Sequence, residues 1–387
     1  MKGGKIMKDY KFNGSISLEV LNNYLSRSVN MGVGAYSKDE TKETVRFILS
    51  VGAKYILRAA GQWYPDSSFE NSFDDIKTTL STAHATDPDI IFEACIFEVS
   101  NPGMGTIQIP PSVFEAFGLK PENRCFDHER TVFSDGYGVD YWEKGHHIPD
   151  ITTTEMQMFV YYRACKYIDA GFEALHLGQV LLTGKNDPKN TVYTKLIRMI
   201  REYAKAHARR GYVLINAHNN EFKDENGIML ADMIVVPTRV HAPKDEVNHA
   251  VSENNPQRCI IEPGYWGKSS IYNQKIPGTS PSGWFTENYP YLAHLDNYGD
   301  VVGDTSDKDC YVWGKDEAMW FVVQPAWYRR EFMRYIKETI DGYNENGHIS
   351  FLCRHGVGKY FANNKSAACP EGSGDEETIK QIFSEEE

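Results

Sequence analysis

The chain has 387 residues, with 41 lysines and arginines against 53 aspartates and glutamates, a formal charge of −12; a bare polyanion such as nucleic acid is a disfavoured partner. Hydrophobic residues make up 41% and charged residues 24%, the balance of a globular protein with a large interior, so wholesale disorder is excluded. Aromatics reach 13%, and many stand beside Gly, Pro and Asp rather than inside apolar runs, which puts aromatic faces in loops.

The segment Met1–Tyr10 is basic but is followed by polar Lys11, Asn13 and Ser15, not by the apolar stretch of a signal peptide. No run approaches the roughly 20 apolar residues of a membrane helix. The 7 cysteines include no CxxC pair and read as reduced, mostly buried thiols. The expectation is a soluble, cytoplasmic protein without a membrane or nucleic-acid partner; a homo-oligomer is compatible with it.

Eight short apolar runs read as strands buried on both faces: Lys54–Ala59, Ile90–Val99, Phe172–Leu177, Tyr212–Ala217, Met233–Val236, Cys259–Ile261, Leu292–Leu295 and Ile349–Cys353. Met31–Tyr36 is a ninth candidate, which would shift the strand numbering by one. Helical patterns lie between several of them. Ser37 with Glu40, and Thr152 with Glu155, have capping-box spacing ahead of Thr44–Val51 and Met156–Ile168, and a helix is expected over Ala326–Tyr343 with Gly342 and Gly347 where it frays. Apolar strands alternating with helices predict an α/β fold with a parallel sheet. Eight of them predict a (β/α)8 barrel with long loop insertions at the carboxyl face of the strands. An open doubly wound sheet ranks second, because Gly32-Val33-Gly34 lacks the third glycine of a phosphate fingerprint. The expected organisation is an amino-terminal segment and first helix over 1–50, a barrel over 51–355 with an insertion at 100–150, and a tail over 356–387 whose acidic part, Gly374–Glu387, reads as a solvated helix. Ser100–Asp150, Pro263–Pro290 and Asn297–Gln324 are long loops placed after strand ends, where a barrel carries its site.

The strand ends bring polar residues into a ring: Arg58, Glu98, His176 with Gln179, His218 with Asn219, Arg239, Glu262, Asp296 with Asn297, and Arg354 with His355. Burying so many polar groups for stability alone would carry a desolvation cost at each, so a ring of them marks a site. The odd spacing of Glu93 and Glu98 puts them on opposite faces of a strand, so both cannot line the lumen. Glu98 sits at the loop end, where an apolar setting raises a carboxyl and suits it to protonating a leaving group. His294 and Asp296 alternate so as to point the same way. Glu262 precedes Pro263-Gly264, a turn signal, and stands as a substitute for either carboxyl. The sequence has no HExxH, no nucleophile elbow and no P-loop, and no resident metal or cofactor is expected.

Five loops expose an aromatic beside polar groups, around Trp63, Trp142, Trp266, Trp284 and Trp313. A pyranose stacks its apolar face on such rings while Asp, Asn, Gln and His take its hydroxyls, and glycosidic cleavage then needs two carboxyls. With Phe97-Glu98, His176-Leu-Gly-Gln179, Asn216-Ala-His218, Leu295-Asp296-Asn-Tyr and Trp313-Gly-Lys-Asp316-Glu317, the chain resembles the TIM-barrel glycoside hydrolases over roughly Lys54 to Arg354. It lacks the Asn-Glu-Pro motif of their largest clan, and the resemblance is architectural. It implies a glycosidase acting on a small oligosaccharide or glycoside, with Glu98 and Asp296 as the carboxyl pair. Arg58, His176, Gln179, His218, Asn219, Arg239 and Asn297 would take hydroxyls, and Trp63, Trp266, Trp284 and Trp313 would stack on sugar rings. Two rivals share the barrel: a metal-dependent sugar isomerase or hydrolase using Glu98, Glu262, His218 and Asp296 as ligands, and a carbohydrate-binding protein without turnover.

Overall fold

A computed structural model of the chain describes residues 8–34, 38–264, 271–297, 312–356 and 358–385. Eight strands form one closed barrel: β1 (Ser28–Asn30), β2 (Tyr55–Gly61), β3 (Ile91–Cys95), β4 (Ala174–His176), β5 (Leu214–Ala217), β6 (Met233–Pro237), β7 (Tyr291–His294) and β8 (Gly347–Leu352). Each pairs in parallel with its sequence neighbours, and β1 closes on β8 with Val29 opposite Phe351. This is the (β/α)8 barrel that the apolar runs predict.

The strand count is right and one member differs. Cys259–Ile261 is not a barrel strand: Ile260 forms an isolated antiparallel bridge with His241, and the Cys259 and Ile261 amides donate to the hydroxyls of Tyr328 and Tyr335. The missing strand is β1, just ahead of Met31–Tyr36, so the barrel starts at Ser28 rather than at 51. Three residues, Ser-Val-Asn, carry too little apolar pattern to announce a strand.

Two apolar layers hold the barrel. Outward residues such as Val29, Ile56, Phe92, Leu175, Ile215, Ile234 and Ile349 pack in the main core, which also takes buried residues of the surrounding helices. Inward residues Tyr55, Leu57, Ile91, Ala174, Leu214, Met233, Val235 and Leu292 join Val20, Leu21, Tyr24 and Leu25 of the helix Leu18–Leu25 in a second core. That helix therefore closes the floor of the barrel, and Ser17 caps it by accepting from the Val20 amide at 3.2 Å.

The helix Ala326–Tyr343 spans its expected range; it runs through Gly342 and ends at extended Asn344, while Gly347 opens β8. The helix Thr154–Ala170 is capped by Thr153, one residue later than expected, and stops at left-handed Gly171. Thr152 bonds Asp150 instead, and Glu155 receives a bidentate ion pair from Arg124 at 2.7 and 2.9 Å. Ser37 lies outside the described residues. The acidic tail is not a free solvated helix. Glu376–Glu385 buries Ile379, Ile382 and Phe383, one helical face, and Glu376 pairs with Arg46 at 2.6 Å.

The Ser100–Asp150 insertion follows β3 and is pinned by bridges Ser100–His147, Gln108–Cys125 and Val132–Pro149. The segment ahead of β7 behaves differently from expectation. Its short hairpin, Gly278–Thr279 against Phe285–Thr286, lies at the floor, where the Trp284 indole donates to the Ile16 carbonyl at 2.9 Å and the Ser282 hydroxyl donates to that of Tyr212 at 3.3 Å. A connection that must re-enter the barrel from below brings its last residues to the amino ends of the strands.

Candidate active site at the carboxyl end of the barrel

A polar layer sits in the lumen above the apolar floor. Glu93 of β3 is fully buried; its Oε2 accepts from the Tyr55 hydroxyl at 2.6 Å and from Asn216 Nδ2 at 2.7 Å, and its Oε1 accepts from the Arg58 amide at 3.2 Å. Burial raises this carboxyl above its ordinary value, against those hydrogen bonds. Asn216 Oδ1 in turn lies 2.6 Å from His176 Nδ1. Arg58 has φ +51°, and the pairing of β2 with β3 slips between Ile56 and Ala60. This bulge re-aims a side chain in mid-strand, and it sends the guanidinium toward β7.

There Arg58 Nη1 donates to Asp296 Oδ1 at 3.1 Å. Burial alone would raise the Asp296 carboxyl, but the positive charge around it, that of Arg58 foremost and of Arg239 behind it, outweighs burial and holds the group ionised, far below the usual carboxylate range. The Asp296 amide donates to Glu317 Oε2 at 2.9 Å. Glu317 opens the helix Glu317–Val322, is fully buried, accepts from the Thr238 hydroxyl at 3.0 Å and the Val240 amide at 3.2 Å, and has Arg239 Nη1 at 3.8 Å. Burial pushes its carboxyl up to about 7 against the pull of Arg239.

Glu98 lies three residues past the end of β3. Its Oε1 accepts from Gln179 Nε2 at 3.0 Å, while its Oε2 is buried without a hydrogen-bond partner. Burial raises this carboxyl, opposed by the hydrogen bonds of Gln179 and the charge of Arg58. The expectation that Glu93 and Glu98 diverge by strand alternation does not carry to the site. Glu93 faces the lumen, the strand ends at Cys95, and Glu98 turns back at the mouth beside Gly178.

Three imidazoles stand over the lumen: His176 and His218 have centroids 4.6 Å apart, His218 and His294 6.4 Å. His218 Nδ1 is 2.6 Å from the Val235 carbonyl. His294 is fully buried, its Nε2 has no partner, and burial with the nearby Arg58 pushes it down to about 3, so it is neutral at ordinary pH.

Beside Glu98 stands an aromatic group: Trp63 meets Phe97 at 5.3 Å and Trp142 at 4.9 Å, and the Trp142 indole donates to the Glu98 carbonyl at 3.1 Å.

The structure thus gathers Arg58, Trp63, Glu98, His176, Gln179, His218, Arg239 and Asp296 at or around one mouth, with the exposed Asn297 following Asp296. Other predicted residues fall elsewhere. Glu262 is 55% exposed and faces His241 at 3.4 Å; with Cys259–Ile261 outside the barrel, it does not stand at a strand end. Asn219 Oδ1 accepts from the Glu221 amide at 2.9 Å in a turn. Trp284 closes the floor, opposite the mouth. Trp313 is on the carboxyl side, its indole donating to the Arg258 carbonyl at 3.0 Å. Trp266 lies outside the described residues. Among the described residues no group of three or more His, Cys, Asp or Glu is placed to hold a metal ion, and no helix is long and apolar enough to cross a membrane. Sequence reasoning did not name Glu317, His294 or Trp142 as site residues. His294 had a signal, its shared parity with Asp296, whereas Glu317 stood only in the run Trp313–Glu317 that carries the resemblance, with no role of its own.

No protein-family model and no curated protein matches the sequence. Solved structures with a likeness to the chain include a family 5 xyloglucanase from Paenibacillus pabuli, at 10% identity over 94% of this chain and 99% of the other with a TM-score of 0.45. A β-L-arabinopyranosidase from Geobacillus stearothermophilus is 10% identical over 94% of this chain and 76% of its own, with a TM-score of 0.40. The likeness to an isomalto-dextranase from Arthrobacter globiformis, 10% identical with a TM-score of 0.34, covers 56% of this chain and 40% of that one. The strand order itself carries the fold assignment: the chain is a (β/α)8 TIM barrel.

Proposed function

We propose that the protein is a glycosidase that cleaves a small oligosaccharide or glycoside, with Glu98 as general acid and Asp296 as nucleophile or as base for water. One observation carries the reading: two buried carboxyls at one barrel mouth have their ionisation pushed in opposite directions, Glu98 toward the protonated form and Asp296 toward the charged one. Glycosidic cleavage needs that pair, a proton for the departing oxygen and a charge for the anomeric carbon or its attacking water. Arg58 keeps Asp296 charged, Trp63 and Trp142 offer faces for a sugar ring next to the acid, and the imidazoles of His176, His218 and His294 supply hydroxyl partners. No metal ion or cofactor is needed for these steps.

The test is turnover of aryl glycosides and oligosaccharides by wild type, Glu98→Gln and Asp296→Asn. The reading expects losses of about 100-fold or more in each variant. A loss below about tenfold in both, made separately, would remove the pair from the mechanism. If the reading holds, the configuration of the first-formed product, read by NMR, separates a nucleophilic Asp296 (retention) from a basic one (inversion).

A further inference from the structure

Asp296 lies beyond the β7 ladder, which ends at His294, and the start of the helix Glu317–Val322 takes over its backbone. The Asp296 amide donates to Glu317 Oε2 at 2.9 Å, and its carbonyl accepts from the Ala318 amide at 3.0 Å. That helix start is itself fixed, because Asp316 caps it by accepting from the Met319 amide at 2.7 Å.

Glu317 also joins two strand ends. Its Oε2 accepts from the Thr238 hydroxyl at 3.0 Å, and its Oε1 accepts from the Val240 amide at 3.2 Å. Thr238 and Val240 follow β6 and flank Arg239, whose φ of +55° is left-handed, a conformation that persists only where the surroundings hold it. The Thr238 amide donates to the His294 carbonyl at 2.9 Å, tying the end of β6 to that of β7. An ionised carboxyl suits the position because it only accepts, and the Asp296 amide, the Val240 amide and the Thr238 hydroxyl all donate to it. An acid in the first turn favours a helix start by charge alone, but that role needs no reach to another strand. The Glu317 side chain has no exposed surface, so it touches no substrate and can act only through the groups it holds.

We propose that Glu317 is the positioning residue of Asp296: it fixes the backbone from which the Asp296 side chain reaches Arg58, and thereby sets the carboxylate against the anomeric carbon or its attacking water. The inference rests on the glycosidase reading above for the task it gives Asp296. A reacting group displaced by about 1 Å costs of order 100-fold in rate, so a clamp on the backbone of Asp296 is a means of holding kcat.

Two substitutions separate reach from charge. Glu317→Asp keeps an acid at the helix start but shortens the side chain by a methylene, so its oxygens fall short of the Asp296 amide; Glu317→Leu removes every acceptor. In both, kcat on aryl glycosides and oligosaccharides is expected to fall about tenfold or more, by a larger factor than KM rises. In an Asp296→Asn background Glu317→Asp is expected to cost less than about twofold, since a side chain already disabled loses nothing by being misplaced. Glu317→Asp decides if Glu317→Leu does not fold. Crystal structures of wild type and Glu317→Asp read the same point without turnover: the contact between Arg58 Nη1 and Asp296 Oδ1, at 3.1 Å, is expected to open beyond about 4 Å, the reach of an ion pair. Wild type that cleaves no glycoside would remove the glycosidase reading and leave the crystal comparison to decide the positioning. An Asp296 carboxyl unmoved in Glu317→Asp, a loss confined to KM, or a loss that repeats in full in Asp296→Asn would overturn the inference.

Discussion

Gly178 lies against the carboxyl of Glu98 so closely that a β-carbon there would overlap Oε2, and its φ of +63° is one that L side chains rarely adopt. The Glu98 carboxyl is therefore seated on bare backbone between the ends of β3 and β4, with Gln179 fixing Oε1 and Gly178 covering Oε2. Gly178→Ala is expected to displace the carboxyl as well as strain the turn. Steady-state kinetics should show kcat reduced by about 10- to 100-fold, while circular dichroism still reports a folded barrel. An unchanged kcat would mean that the position of Oε2 is irrelevant to turnover.

The buried Glu93 supports the site from below by holding the left-handed amide of Arg58. Glu93→Gln turns one acceptor face into a donor opposite Tyr55, Asn216 or the Arg58 amide. Urea unfolding is expected to report a loss of about 1–3 kcal/mol, together with reduced turnover as Arg58 drifts from Asp296. Wild-type stability in this variant would show that the polar layer does not depend on the carboxylate.

Glu317 predicts a pH dependence of stability. Its carboxyl is raised by burial from 4.5 to about 7, so the folded state favours the protonated form. The contribution is fully present below the ordinary carboxyl value and is lost as pH rises through about 7. Between those values wild type should lose stability relative to Glu317→Gln, which cannot ionise. Parallel melting curves for the two proteins across this window would contradict the assignment.

The tryptophans separate by their place in the barrel. Trp142→Ala, beside Glu98, is expected under the proposed function to raise KM for glycosides more than it lowers kcat. Trp284→Ala, at the floor, removes packing against Tyr289 and the bond to Ile16, with a stability cost of about 3 kcal/mol and no change in KM. Thermal melts and kinetics on both variants check the contrast.

Most of the barrel was legible because strands buried on both faces must be continuously apolar. Runs such as Ile90–Val99 and Tyr212–Ala217 leave little alternative, and the helix Ala326–Tyr343 announced both its ends. What stayed hidden follows from physics that one chain segment does not display. Ser28–Asn30 is a strand because β2 and β8 flank it, not because of its composition. Cys259–Ile261 has the composition but its amides find tyrosine hydroxyls instead of a ladder. Glu98 and Asp296 could be named because each stands just past a strand end, and Arg58 because the apolar run Lys54–Ala59 stops beside it, although β2 continues to Gly61. Their pairing and opposite ionisation could not, because these depend on a bulge at Arg58 and on a glycine at 178. The role of Glu317 arises only when the helix Glu317–Val322 is brought over the end of β7. Trp284 misled because a loop before a strand and a loop after one look alike in sequence while ending at opposite faces of the barrel.

The most direct measurement of the central claim is the pH dependence of kcat/KM for glycosides of good and poor leaving groups, in wild type and in Glu98→Gln. An acid with a raised carboxyl predicts an alkaline limb in wild type that lies above the ordinary carboxyl range and disappears in Glu98→Gln. It also predicts that this variant loses about 100-fold or more on the poor leaving group and much less on the good one, which departs without a proton. Equal losses on both substrates, or an alkaline limb that survives the substitution, would contradict Glu98 as the acid and with it the two-carboxyl account of the mouth.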